Sequence, residues 1–273
     1  MRPALRRRAW RWTVLTVAIL AVYLFPVYWM VQTSFQPDAT SAGVAWFPPD
    51  PSLDAYAQAL GSGGLRGLRV SIIVALGTVA VTLVIATPAA YALSRMRSRA
   101  VTVGLVLLLL AQMIPSVVLT LSFYAMYSAW GVLNSYIGLI LAHATLGIPF
   151  AVILMRSFMQ RMDHEVVEAA TVDGLGPLGS LLRIVVPLSR NAIITAAVFT
   201  FLFSWGDLLF GLTLVTRADM YPVTAFILGM TADPLNRWAP VMAISLVASL
   251  PALVVIFSAQ RFVKAGLTSG SAR

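Results

Sequence analysis

Side chains able to do chemistry are scarce in this chain, and their scarcity is informative. Asp207 is the one acid inside an apolar stretch, the only histidines are His143 and His164, and there is no cysteine. A carboxylate at the middle of a membrane helix costs roughly 2.5–3.5 kcal/mol on insertion scales. Asp207 therefore calls either for structural pairing, a partner subunit being one candidate, or for contact with a solute or gate. Trp205, two residues earlier, offers a ring that could stack on the apolar face of a sugar, although tryptophan also gathers at membrane interfaces with no ligand at all. Gln112, Tyr124 and Asn134 are further polar candidates along a substrate path.

Several chemistries are excluded. Without cysteine there is no disulfide framework, thiol nucleophile or Cys-based zinc site, and two histidines are too few for a His-rich metal centre. A proton relay needs a chain of ionisable groups through the bilayer, so His143 reads as a helix-packing donor and His164 as a loop surface residue beside Asp163. The only lysine, Lys264, stands between Val263 and Ala265, whereas a Walker A loop ends in Gly-Lys followed by Ser or Thr. The chain has no nucleotide site of its own and is not an enzyme by this reading. Energy for any transport must come from another polypeptide or an ion gradient.

The elements that would position these residues are read from hydropathy. Of 273 residues, 59% are hydrophobic and 11% charged, against about a quarter charged in soluble domains. Uncharged stretches run over Thr13–Val31, Val70–Leu93, Ala100–Met155, Asn191–Gly206 with a continuation from Leu208, and Trp238–Gln260. A span needs roughly 20 residues, so the third stretch holds two, divided by the turn-prone segment Tyr127–Asn134 around Gly131. The expectation is an all-α membrane protein of six transmembrane helices, a single transmembrane domain over 1–273. Prolines fall in five of the six: Pro26, Pro88, Pro115, Pro149 and Pro251. Each either kinks a pathway-lining helix or is tolerated because neighbours satisfy the freed carbonyl.

Charge sets the expected orientation. With the amino terminus in the cytoplasm, fifteen of the 19 basic residues fall inside and only Arg66, Arg69, Arg217 and Arg237 outside, as the positive-inside rule requires. Both termini are then cytoplasmic, in a bacterial inner membrane. The Arg-rich start and the apolar run after it are read as a retained first helix, since that run exceeds a signal h-region; cleavage is the alternative. The net charge of +9 follows from this flanking pattern, and no basic soluble face points to nucleic acid.

The most specific pattern lies in the loop 156–190. Asp163 can cap a helix through Glu165, Val166, Val167, Glu168, Ala169, Ala170 and Val172, with its acids near the favourable amino end. Gly174 then stops it, because a left-handed terminal residue costs glycine little. Gly176, Pro177 and Gly179 follow, Pro177 suiting the first turn of a second helix. There Leu178, Leu181, Leu182 and Val185 form an apolar stripe up to Pro187. A rigid, part-apolar knob of this kind is what a protein partner could grip.

Glu168-Ala169-Ala170, Gly174, Ile184 and Pro187 stand at the spacings of the EAA loop, and the chain resembles the permeases of ABC importers. Val186 replaces the leucine of that pattern. Phe203–Thr213, reading FSWGDLLFGLT, is similar to the fifth helix of carbohydrate-importer permeases, with Gly206 where that family usually has Asn. Gln260–Ser271 resembles the carboxyl end of the MalG-like permeases of maltose-type sugar importers. The resemblance implies a type I importer permease fold and a coupling element formed by Glu168, Ala169, Ala170, Asp173, Gly174, Leu175 and Pro187. It also implies the partners: a second, nonidentical permease, two ATPase subunits carrying ATP and Mg, and an extracytoplasmic solute-binding protein. The chain itself would bind no cofactor. The cargo implied is a sugar moved by alternating access, with glycerol phosphate or another non-sugar solute as the neighbouring alternative. An ion-coupled secondary transporter or membrane enzyme would show several intramembrane acids or metal clusters, and a scaffold would leave the loop without a purpose.

Overall fold

The computed structural model describes residues 3–37, 39, 43–163, 165–166, 172, 174–232 and 237–268, with side chains for residue 10 and those of 12–260. The chain divides into two compact units. The first comprises the residues up to Leu65 together with Ile227–Ser249, and the second Arg66–Phe226 with the residues from Leu250 onward.

In the first unit, α1 spans Pro3–Ser34 with Pro26 inside it. Its apolar window Trp12–Ser34 is long and hydrophobic enough to cross a membrane, and its flanks are exposed, Tyr23 at 76%. Aromatic side chains gather near its end, Trp29 and Trp46 meeting edge to face at 5.5 Å. The chain after α1 is tied down by Gln36, whose Oε1 accepts from the Ala45 N–H at 3.0 Å while its Nε2 donates to the Ala45 carbonyl at 2.8 Å. The short helix α2, Asp54–Ala59, follows. Its Ala55 packs with Ala39, Ala239 and Ala243, the last two on α11, Trp238–Thr268. Between α2 and α3, Leu65–Arg95, the chain makes a wide turn in which Gly63 has φ 132°. A side chain there would meet the left-handed penalty that glycine escapes.

The second unit holds most of α3, then α4 (Arg99–Ala111), α5 (Ser116–Trp130) and α6 (Tyr136–Met159). Beyond the loop come α7 (Pro177–Leu188), α8 (Arg190–Gly206), α9 (Leu209–Leu214) and the start of α10 (Val223–Met230). Caps explain the starts. Ser98 accepts from Val101 N–H at 3.3 Å and Ser135 from Gly138 N–H at 3.0 Å, each satisfying a donor that the first turn leaves orphaned. Gly131, at φ 69°, ends α5 in the left-handed conformation, where the sequence placed a turn.

Two features depart from uninterrupted spans. At Gln112–Pro115 the helix path bends by 91° between α4 and α5, and between α7 and α8 by 79°. Pro115 has no N–H to continue a helix and caps α5 instead, while Pro26, Pro88, Pro149 and Pro251 lie inside helices. Among the described residues four helices are long and apolar enough to cross a membrane, or up to six if each bent pair is one span.

Small residues let the helices approach. Ala86, Ala90, Ala151, Ala192 and Ala196 are fully buried around Met155 and Val185, the pattern expected where helices associate by close backbone packing in lipid. A Cβ on Gly147 would stand 2.9 Å from Thr82 Oγ1 and 3.2 Å from Thr200 Cγ2. Here α3, α6 and α8 meet at a glycine.

Candidate functional site

Asp207 sits where the helix breaks. α8 ends at Gly206, and the extended backbone of Asp207 (φ −67°, ψ 136°) leads into α9. Its Oδ2 accepts from the N–H groups of Phe210 at 3.0 Å and Gly211 at 3.4 Å, so the carboxylate caps the next helix at its positive end. Its carbonyl, freed by the break, accepts from Thr224 Oγ1 at 2.6 Å.

The second partner of the carboxylate is His143 on α6. His143 is 2% exposed, and its Nε2 lies 3.2 Å from Asp207 Oδ2. The contact is short but off-axis, so Nε2 makes no well-aligned hydrogen bond; the distance decides that the two groups are paired. On the other side of the ring, Nδ1 and Ser204 Oγ share a hydrogen bond at 2.8 Å. Phe210 and Phe203 stand edge-on to the imidazole at 5.5 Å and 6.4 Å. The acid therefore finds its partner inside its own chain, and His143 is more than a packing donor: it holds the break between α8 and α9.

The remaining path candidates separate by what they touch. Trp205 is 7% exposed and stacks on Phe201 at 5.5 Å with an 11° interplanar angle, so a ring face is already taken. Asn134, at φ 55°, spends its amide on a loop: Oδ1 accepts from the N–H groups of Thr216 at 2.7 Å and Arg217 at 3.0 Å. It staples the α5–α6 turn to the segment after α9. Tyr124 is exposed on α5. Gln112 closes α4, donates to the Leu146 carbonyl at 3.3 Å, and lines a cleft beside Gly147. Of the phenylalanines that share this cleft, Phe150 and Phe199 went unmarked in the sequence and Phe203 stood out only as the start of the FSWGDLLFGLT stretch.

In the loop, Glu168, Ala169, Ala170 and Asp173 lie outside the described residues, as does His164. Gly174 has φ +81°, the left-handed conformation expected of a helix stop. Pro177 opens α7. The apolar stripe of α7 divides in two: Leu181 and Val185 are buried against Met155 and Ala192, whereas Leu178 and Leu182 are 67% and 58% exposed. Leu175 is half-buried and Pro187 exposed. No group of three or more His, Cys, Asp or Glu that could hold a metal occurs among the described residues.

Residues 82–268 match the family described as "binding-protein-dependent transport system inner membrane component", and the chain belongs to it. It is a transport subunit rather than an enzyme. It is 31% identical to the probable ABC transporter permease protein y4oR of Sinorhizobium fredii, covering 96% of this chain and 95% of that protein. It is 29% identical to the diacetylchitobiose uptake system permease protein DasC of Streptomyces coelicolor, covering 100% of both. The fold matches a crystal structure of a bacterial ABC transporter involved in import of the acidic polysaccharide alginate, with TM-score 0.82, 20% identity, and coverage of 96% of this chain and 98% of that one.

Proposed function

We propose that this chain is one of two nonidentical membrane subunits of an ATP-driven importer whose cargo is a sugar, from mono- to oligosaccharide. The observation that carries the reading is the end-to-end similarity to a diacetylchitobiose uptake permease. A second permease, two ATPase subunits and an extracytoplasmic binding protein complete the assembly, and both termini of the chain face the cytoplasm.

The coupling element is the loop 156–190. Glu168, Ala169, Ala170 and Asp173 carry it together with Gly174, Leu175 and Pro187, and the exposed Leu178 and Leu182 support it, because an i, i+4 apolar pair left in water is a surface suited to a protein partner. ATPase closure pulls on α7, and the bend into α8 transmits the pull to the helix that ends at Asp207. Of the path residues, Gln112 serves as a solute contact and Asp207 as the pivot of the helix break.

The test is to express the chain with its genetic neighbours, purify the assembly, and measure ATPase activity against a panel of sugars with the binding protein present. Stimulation by one sugar is expected. An intact complex that responds only to a non-sugar solute such as glycerol phosphate moves the cargo outside carbohydrates. Failure to recover any ATPase with the chain in mild detergent overturns the importer reading.

A further inference from the structure

The bend between α4 and α5 opens a cleft of about 390 Å³ against α6 and α8, within the roughly 300–1,000 Å³ typical of small-molecule sites. Three aromatic rings wall it: Phe150 and Phe199, 5.4 Å apart and tilted, and Phe203. Three polar side chains share the lining: Gln112, Ser116 and Thr200.

What those polar groups lack decides the occupant. Thr200 is 2% exposed and its Oγ1 is buried with no hydrogen-bond partner. Gln112 uses Nε2 on the Leu146 carbonyl, leaving Oε1 without a bond among the described residues, and Ser116 Oγ likewise makes none. A lipid tail or an apolar helix would leave these groups unsatisfied, at the cost any buried polar group pays in hydrocarbon. Rings for CH faces, with uncommitted amide and hydroxyl groups between them, match a polyhydroxylated ring.

Charge narrows the class. Among the described residues no Asp, Glu, Lys, Arg or His lines the cleft. A full negative charge would need a countercharge that the described lining does not supply. We infer that this cleft is a contact site for a neutral saccharide on its way through the chain, held by Gln112, Ser116 and Thr200 against Phe150, Phe199 and Phe203. The inference rests on the importer reading and adds to it a site and a charge class. Phe203 also touches His143, so an occupant here presses on the ring that holds the Asp207 break.

The experiment uses the complete assembly in proteoliposomes with its binding protein. Uptake of N,N′-diacetylchitobiose, trehalose and maltose is compared with uptake of glycerol 3-phosphate and a uronate oligosaccharide. Because the chain has no cysteine, Ser116→Cys places a single thiol in the cleft, whose reaction with N-ethylmaleimide is read by mass on this subunit. The expected result is that the transported neutral sugar slows labelling severalfold, and that Thr200→Val and Gln112→Leu each raise its half-saturating concentration roughly fivefold or more. Thr200→Val is nearly isosteric, so its uptake reads the cleft even if Ser116→Cys assembles poorly. Sugar uptake with unprotected labelling and unaltered half-saturation in both variants overturns the cleft while leaving the importer intact. Transport of the anionic solutes alone overturns the charge class. No transport of any solute, with no ATPase recovered, removes the importer reading itself.

Discussion

The helix α8 is interrupted on both sides, and the two interruptions are built differently. On the side of the 156–190 loop, the breaks are local: Gly174 adopts φ +81°, Pro177 opens α7 and Pro187 sits just ahead of the 79° bend. On the other side, at Asp207, no proline intervenes and Gly206 is still helical. The break there is held by His143 from α6, by the cap on α9 and by Thr224 from α10. A break encoded locally survives changes elsewhere. A break held from a distance fails when any distant partner is lost, which suits a pivot and makes it fragile.

The most damaging change expected is Asp207→Ala. It removes a helix cap worth about 0.5–2 kcal/mol and leaves the buried His143 unpaired, at about 1–3 kcal/mol. Thermal unfolding of the purified chain should register the loss, and Asp207→Asn, which can still cap, should lose less. His143→Ala combined with Asp207→Ala should cost less than the two single changes together. Additive losses would show that the pair does not hold the break.

Next in size, Gly174→Pro forces φ near −65° where the chain needs +81°. Uptake should fall to near background with insertion and helix content retained. Wild-type uptake by a well-expressed variant would remove the coupling role from the local end.

Gly147→Val tests the packing behind the distant end. Its added atoms meet Thr82 and Thr200, and overpacking of this kind costs about 1–3 kcal/mol. Unfolding temperature should drop, and unchanged stability would mean that the three helices do not need this close approach.

The smallest effect concerns Asp219, exposed in the segment after α9. Its hydrogen bond to Arg217, with Nη2 to Oδ2 at 2.7 Å, lowers its carboxyl below the usual 3.8. A depressed carboxylate contributes stability that is present above pH 3.8 and lost as pH falls through its folded value. With both partners largely exposed the contribution is screened. Asp219→Asn should lower neutral-pH stability only slightly and flatten the acid limb by that same small amount, whereas a large neutral-pH loss would make this loop a third held element.

Much of the fold was legible because its determinants are local. Uncharged runs mark the membrane-class helices, Gly131 the turn between α5 and α6, and the glycines and prolines of the loop its angular path. The bend at Gln112–Pro115 was not, since a proline in an apolar run permits either a tolerated kink or a break. Pro88 and Pro149 stay inside helices while Pro115 does not. At the site, Asp207 and Gln112 stood out as polar residues in apolar runs. Trp205 stood out for a ring that could stack on a sugar and Asn134 as a polar candidate, yet their ring face and amide are committed inside the chain.

From composition, charge and spacing alone came the membrane class, the turn at Gly131 and the glycine and proline breaks of the loop. All of these depend on properties of short segments that no packing can change. Tertiary structure alone decided that Asp207 pairs with His143, 64 positions earlier, and that Gly147 admits Thr82 and Thr200. It also gathered three ordinary phenylalanines around a cleft with unpaired hydroxyls. Those outcomes depend on which faces of distant helices meet, and helical periodicity fixes a face without naming the neighbour it will find.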